Sequence, residues 1–149
     1  MALAFPKPEK RGKKPKKRLP TKKVRQKRAK AKCLDLWGRI VRASGPCVFI
    51  GMLLGRELHT CSGPLQGMHA IAKGPHPAAR LKLWNGIPGC AAGHVFMTHH
   101  PEAWGCFLAR RWSVEVFEQR IRDASALVKI DYEAELVVLE EKARECGVL

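Results

Sequence analysis

Residues 61–101 read CSGPLQGMHAIAKGPHPAARLKLWNGIPGCAAGHVFMTHHP, and the fold turns on this stretch. Residues 65–72 (LQGMHAIA) are short, partly alternating and followed by Lys73-Gly74-Pro75, which suits a strand ending in a loop. Residues 86–90 (GIPGC) read as a turn, and a short helix can start near Ala91 and carry His94. This places His69 at a strand end, Asn85 about a turn before a second strand-like piece, and His94 early in a helix. The separations, 16 residues from His69 to Asn85 and 9 from Asn85 to His94, allow a compact strand–loop–strand–helix unit.

Working outward, residues 33–43 (CLDLWGRIVRA) put Leu34, Trp37, Ile40 and Val41 on one helical face, and Gly45-Pro46 ends that helix. Residues 47–54 (CVFIGMLL) read as a strand or a buried turn, and residues 55–64 as a loop. Pro101 suits the first position of a helix whose buried face carries Trp104, Phe107, Leu108 and Trp112. Ser113 fits an N-cap, with Val114, Phe117 and Ile121 facing inward behind it. Residues 132–146 form a last helix ending at Gly147. The four tryptophans, and Cys33, Cys106 and Cys146, read as core residues borne on helices or beside them. There is no internal repeat. The expected class is α+β, with a small β element at its centre.

The chain has 149 residues, and its 28 Lys+Arg against 13 Asp+Glu give a formal charge of +15. Residues 1–32 hold 15 Lys/Arg and one acid (Glu9), a net +14, whereas residues 33–149 are nearly neutral at +1. With four prolines and few apolar side chains, residues 1–32 read as a disordered basic arm on a single domain, 33–149. A concentrated positive arm points to a polyanion: nucleic acid first, an anionic membrane surface second. Phosphate contacts from such an arm would be salt-dependent. No apolar run approaches the ~20 residues a spanning helix needs, and the N-terminus lacks an apolar secretory segment. The expected setting is intracellular, with no membrane partner, where spaced Cys and His more often mean metal or buried thiols than disulfides.

The residue types in the central stretch suit phosphodiester cleavage. That reaction needs a base of near-neutral pKa, which His supplies. It also needs a Lewis acid for the charge developing on the phosphate and the leaving oxygen.

The order His69…Asn85…His94 resembles the HNH nuclease family, whose site is a β-hairpin plus one helix gripping a metal. The nearest likeness is to its phage-borne HNH and recombination-endonuclease members. Leu65-Gln66 before His69, Lys73 four residues after it, Asn85-Gly86, Cys90 with His94, and Pro101 carry the likeness, over residues 47–112. The resemblance implies a ββα-metal core wrapped by helices and a metal-dependent DNA endonuclease of phage or prophage origin. It implies His69 as the general base, Asn85 as the brace of its loop, and His94 as the helix-borne ligand of a divalent cation (Mg²⁺ or Mn²⁺, with Zn²⁺ an alternative). His99 is a second candidate ligand, and Lys73 and Arg80 would hold phosphates of duplex or branched DNA. Two rival readings stand beside this one: a non-catalytic nucleic-acid-binding protein on a degenerate HNH scaffold, and an RNA- or ribosome-associated basic protein.

The sequence departs from the family at two places. Met68 stands where many members carry a metal ligand before the base, and a thioether binds hard cations poorly. Many members also hold a structural zinc with two Cys-x-x-Cys pairs, and here Cys47 is followed by Ile50 and Cys90 by Gly93. Two thiolates cannot close a tetrahedral zinc site. Cys61 as third ligand and His59 or His76 as fourth would close one. The expectation is instead that apolar packing around Ile50 replaces the zinc.

Overall fold

Lysine, arginine, glutamine and alanine are strong helix formers, and they fill residues 22–32. In the computed structural model, which describes residues 19–149, these residues open a helix, α1, that runs without a break from Lys22 to Ala43. Its buried positions (Ala29, Cys33, Leu36, Trp37, Ile40, Val41) recur every three to four residues and form one apolar stripe. The expected boundary at residue 32 is therefore corrected. The cations of residues 22–32 are largely exposed, while Ala29 is buried and the Gln26 amide reaches Asp131 at 2.9 Å. Charge density had concealed an amphipathic helix. The expectation of disorder for residues 1–18 lies outside the described residues.

After α1 come two two-residue strands, β1 (Leu53–Leu54) and β2 (Glu57–Leu58), then β3 (Leu65–His69) and β4 (Gly86–Cys90), and helices α2 (Ala91–His99), α3 (Pro101–Arg111), α4 (Val114–Ala124) and α5 (Tyr132–Glu145). β1 pairs with β2 and β3 with β4, both antiparallel. The class is α+β, as expected. GIPGC is a strand rather than a turn, in register from Leu65 opposite Cys90 to His69 opposite Gly86. Two glycines and a proline disguise it, but Pro88 is tolerated in a sheet of only two strands. Gly86 is not there for an unusual backbone, since its φ is −94°. It is there for room: a Cβ would collide with Val41 of α1.

Helix α1 packs across both strands of this hairpin and along α5. One core (Phe49, Met68, Ile87, Met97, Phe107, Leu108, Trp112) fills the space between the hairpin and α2–α3. A second (Cys33, Leu36, Trp37, Ile40, Val41, Leu139, Ala143) joins α1 to α5. Each such large side chain contributes roughly 1.5–3 kcal/mol of transfer free energy. Trp37 and Trp112 are buried in these clusters, and Trp84 and Trp104 pack half-buried against the first. Ser113 caps α4 by accepting from the Val116 N–H, but Val114 is 68% exposed and faces solvent, because the first helical position points away from the core here. Cys33 is buried, whereas Cys106 and Cys146 are exposed and not core thiols. Among the described residues no helix is long and apolar enough to cross a membrane.

Candidate active site and metal centre

His69 closes β3 opposite Gly86, so its ring leaves the sheet where α1, the loop after β3 and α2 converge. Strand alternation sends the preceding side chain, Met68, into the core at 4% exposure. The His69 Nε2 lies 2.9 Å from the Arg80 carbonyl. A carbonyl only accepts, so Nε2 carries the proton and Nδ1 keeps its lone pair. Burial pulls the imidazole below its ordinary pKa of 6.5, and the charges of Lys73 and Arg80 add to that, against the opposing pull of the Arg80 carbonyl. The ring is held neutral.

Asn85, just before β4, is fully buried. Its Oδ1 accepts from the Ile71 N–H at 2.7 Å, and its Nδ2 donates to the carbonyls of Ile71 and Ala79 at 3.0 and 3.1 Å. It ties both ends of the loop that follows His69. His94, in the first turn of α2, lines the same cleft as His69. Its Nδ1 lies 2.6 Å from Gln66 Oε1, so Nδ1 donates and Nε2 is left free. An orienting bond on the far nitrogen is the usual support of an imidazole ligand. The sequence marks Gln66 only as a flanking residue, and strand alternation puts it on the same face of β3 as Met68, where it meets His94 of α2.

The other residues expected at the site divide. Lys73 is exposed and lines the cleft. Arg80 does not offer its guanidinium to the cleft: Nη1 donates to the Tyr132 hydroxyl at 3.2 Å, Nη2 to the Lys73 carbonyl at 3.4 Å, and Nε is buried. Its carbonyl, not its charge, serves His69. His99 is exposed and lines a different hollow with Ser62, Val95 and Phe96. Five residues along a helix turn it by roughly 140° from His94, so the two cannot share a cation.

At the far end of the same hairpin lies a second cluster. Cys47, His59, Cys61 and Cys90 bring their four ligand atoms within 4.8 Å of one another, and this is the group of three or more such side chains found among the described residues. Cys47 comes from the turn after α1, His59 and Cys61 from just beyond the β1–β2 hairpin, and Cys90 from the end of β4. Cys90 also caps α2 by accepting from the Gly93 N–H, and its own N–H donates to Cys47 Sγ at 3.2 Å. His59 Nε2 is 3.0 Å from Cys90 Sγ. Loss of solvation raises the Cys90 pKa, but hydrogen bonds from Gly93, Ser62, His59 and Cys47 outweigh it and bring the thiol down to about 6. Cys61 is pushed up to about 11, by lost solvation and then by its neighbours Cys47 and Cys90. Crowded thiols ionise against each other, and a cation removes that penalty.

The cluster can hold a metal ion. The apolar packing expected around Ile50 is made by its neighbours Val48, Phe49 and Met52, which lie in or against the core, and not by Ile50 itself, which is 61% exposed. His59 and Cys61, from just beyond the β1–β2 hairpin, join Cys47 and Cys90 in this group. His59 was offered as a fourth ligand together with His76, and the structure separates them, with His76 Nδ1 3.3 Å from Ser125 Oγ instead. No family model, curated protein or solved structure matches the chain.

Proposed function

We propose that the chain is a metal-dependent endonuclease that hydrolyses DNA phosphodiester bonds, with His69 as general base. One observation carries this reading: His69 and His94 line one cleft, each with one ring nitrogen bound to a protein acceptor and the other left free. A base and a ligand prepared in that way suit two different jobs. His69 Nδ1 takes the proton from water as it attacks phosphorus in line. His94 Nε2 would hold a divalent cation, which would supply Lewis acidity at the phosphate and the leaving oxygen. Asn85 holds the loop beyond the base, and Lys73 and Arg42 line the cleft as cations for phosphate. The chain's +15 charge favours a polyanionic substrate.

The Cys47/His59/Cys61/Cys90 set is the structural site in this reading, and zinc is its metal. Three thiolates and one imidazole suit zinc's softness and tetrahedral preference, and four protein ligands leave no open position for chemistry.

A second reading, a nucleic-acid-binding protein without catalysis, draws on the cation side of the cleft. There, among the described residues, His94 belongs to no group of three or more His, Cys, Asp or Glu that could hold a metal ion, and Met68 is buried in the core. Incubation of zinc-replete protein with plasmid and branched DNA in Mg²⁺, Mn²⁺ or EDTA separates the two. Cleavage that needs the divalent cation and is lost in His69→Ala, with DNA binding kept, supports the nuclease. Cleavage in EDTA, or equal activity of wild type and His69→Ala, rejects the mechanism. Tight DNA binding with no cleavage of any substrate favours the second reading.

A further inference from the structure

We propose that Trp37 is the positioning residue of His69, so that helix α1 is part of the catalytic apparatus and not only of the core. The inference rests on the reading of His69 as the base. It starts from a geometric requirement. A ring held by a single hydrogen bond at Nε2 can still swing about that bond, and its Nδ1 would sweep through the cleft. A second restraint on the plane of the ring removes this freedom.

That restraint is the indole of Trp37. The two rings stack with centroids 4.0 Å apart and planes 15° from parallel. Trp37 is 3% exposed and cannot itself swing away. Its Nε1 donates to the Lys82 carbonyl at 3.2 Å, two residues beyond the Arg80 carbonyl that receives the His69 proton. Both rings are thus tied to one short backbone segment, 80–82, and pressed against each other. The indole reaches across the sheet because position 67, two residues before His69 on the same face of β3, is glycine. A Cβ there would press on Trp37 Cζ3 at 3.3 Å. A tryptophan needed only to fill the core would have no reason to lie parallel on an imidazole that borders a cleft.

The test uses the full chain in its metal-replete form, with Trp37→Phe and Trp37→Leu. The first readout is spectroscopic and needs no activity. In the wild type, the His69 ring protons should be shifted upfield by the indole and show cross-relaxation with it. In Trp37→Leu they should move toward unstacked values, and in Trp37→Phe most of the shift should remain. The second readout is kinetic. Misplacing a reacting group by about 1 Å costs on the order of a hundredfold, so Trp37→Leu should lose about that much in kcat while KM stays level, and Trp37→Phe should recover most of it. Unshifted His69 protons in the wild type would overturn the proposal even if Trp37→Leu fails to fold. So would a folded Trp37→Leu with wild-type kcat, or a folded Trp37→Phe no better than Trp37→Leu. If the wild type cleaves nothing, the nuclease reading falls, and the spectra still decide whether Trp37 holds the ring.

Discussion

The two ends of the β3–β4 hairpin offer a contrast. They lie roughly 14 Å apart, four residue steps along a strand, and share the same two strands and α2. At one end Cys47, His59, Cys61 and Cys90 face one another and could hold a metal ion with four ligands from the chain. At the other, His69 and His94 each keep one ring nitrogen free toward an open cleft. A closed ligand set ties segments together and has nothing left to give to a substrate. An open one contributes less to folding, and its free valences are what a reaction uses. The hairpin serves both because its strand direction and register, from Leu65 opposite Cys90 to His69 opposite Gly86, fix both ends at once.

If that division holds, stripping the metal from the Cys/His cluster has the largest effect. Structural zinc in small domains contributes about 10–16 kcal/mol. Losing even about 4 kcal/mol of it lowers Tm by roughly 8–16 °C in a chain of this size. A strong chelator should release one metal ion per chain and lower Tm, and Cys90→Ser should do the same without chelator. Calorimetry with a colorimetric metal assay measures both, and an unchanged Tm in fully metal-free protein would break the contrast.

At the open end the effects fall on rate. His69→Ala should lower cleavage by about 10²–10⁴ while DNA affinity stays level. His94→Ala should lower both rate and cation affinity, with partial recovery in excess Mn²⁺. Gln66→Ala, which frees the His94 ring, should weaken the cation by about 10–100-fold. Single-turnover cleavage against Mn²⁺ concentration distinguishes these three.

Asn85→Ala lies between the two kinds of effect. It leaves the Ile71 N–H and two carbonyls without their buried partner, and each such group costs about 1–3 kcal/mol. Denaturant unfolding should show a loss of about 3 kcal/mol or more, with activity reduced as well.

The pH dependence is gentler. Burial depresses the His69 pKa, so the acid limb of kcat/KM should fall below pH 6.5. A depressed histidine favours folding above the unfolded pKa, and that contribution is lost as pH drops from 6.5 through the lower folded-state value. An acid limb above 6.5 would show that the ring is not held neutral. The smallest effect is expected at Ile50. Being exposed, Ile50→Ser should change stability by less than about 0.5 kcal/mol, whereas a loss of several would restore a packing role in place of metal.

Much of the outline was legible in residue types. Pro101 and Ser113 start α3 and α4 as their side chains require, and Gly147, at φ +66°, follows α5. His69, Asn85 and His94 stand out because their order along the chain survives in the order of the elements that carry them. Residues 22–32 misled because charge masked a stripe visible only once α5 lies against it. GIPGC misled because glycine and proline usually mark turns, and here the glycines make room for α1 and Phe49.

The sequence by itself determined the α+β class, the helices from Ala91 onward, and which side chains are candidates for base and ligand chemistry. These follow from local propensity, capping and residue type, which act over a few neighbouring positions. Only the tertiary structure decided partnership. It set His59 and Cys61 beside Cys47 and Cys90 across 43 residues of chain, separated His99 from His94, and turned the Arg80 guanidinium inward. It also laid Trp37 on His69 from a helix that ends before the first strand begins. The physical reason is that a hydrogen bond, a stacked pair or a ligand set depends on atoms meeting in space at a few ångströms. Packing of the apolar stripe of α1 across the hairpin fixes those meetings, and no spacing along the chain encodes them.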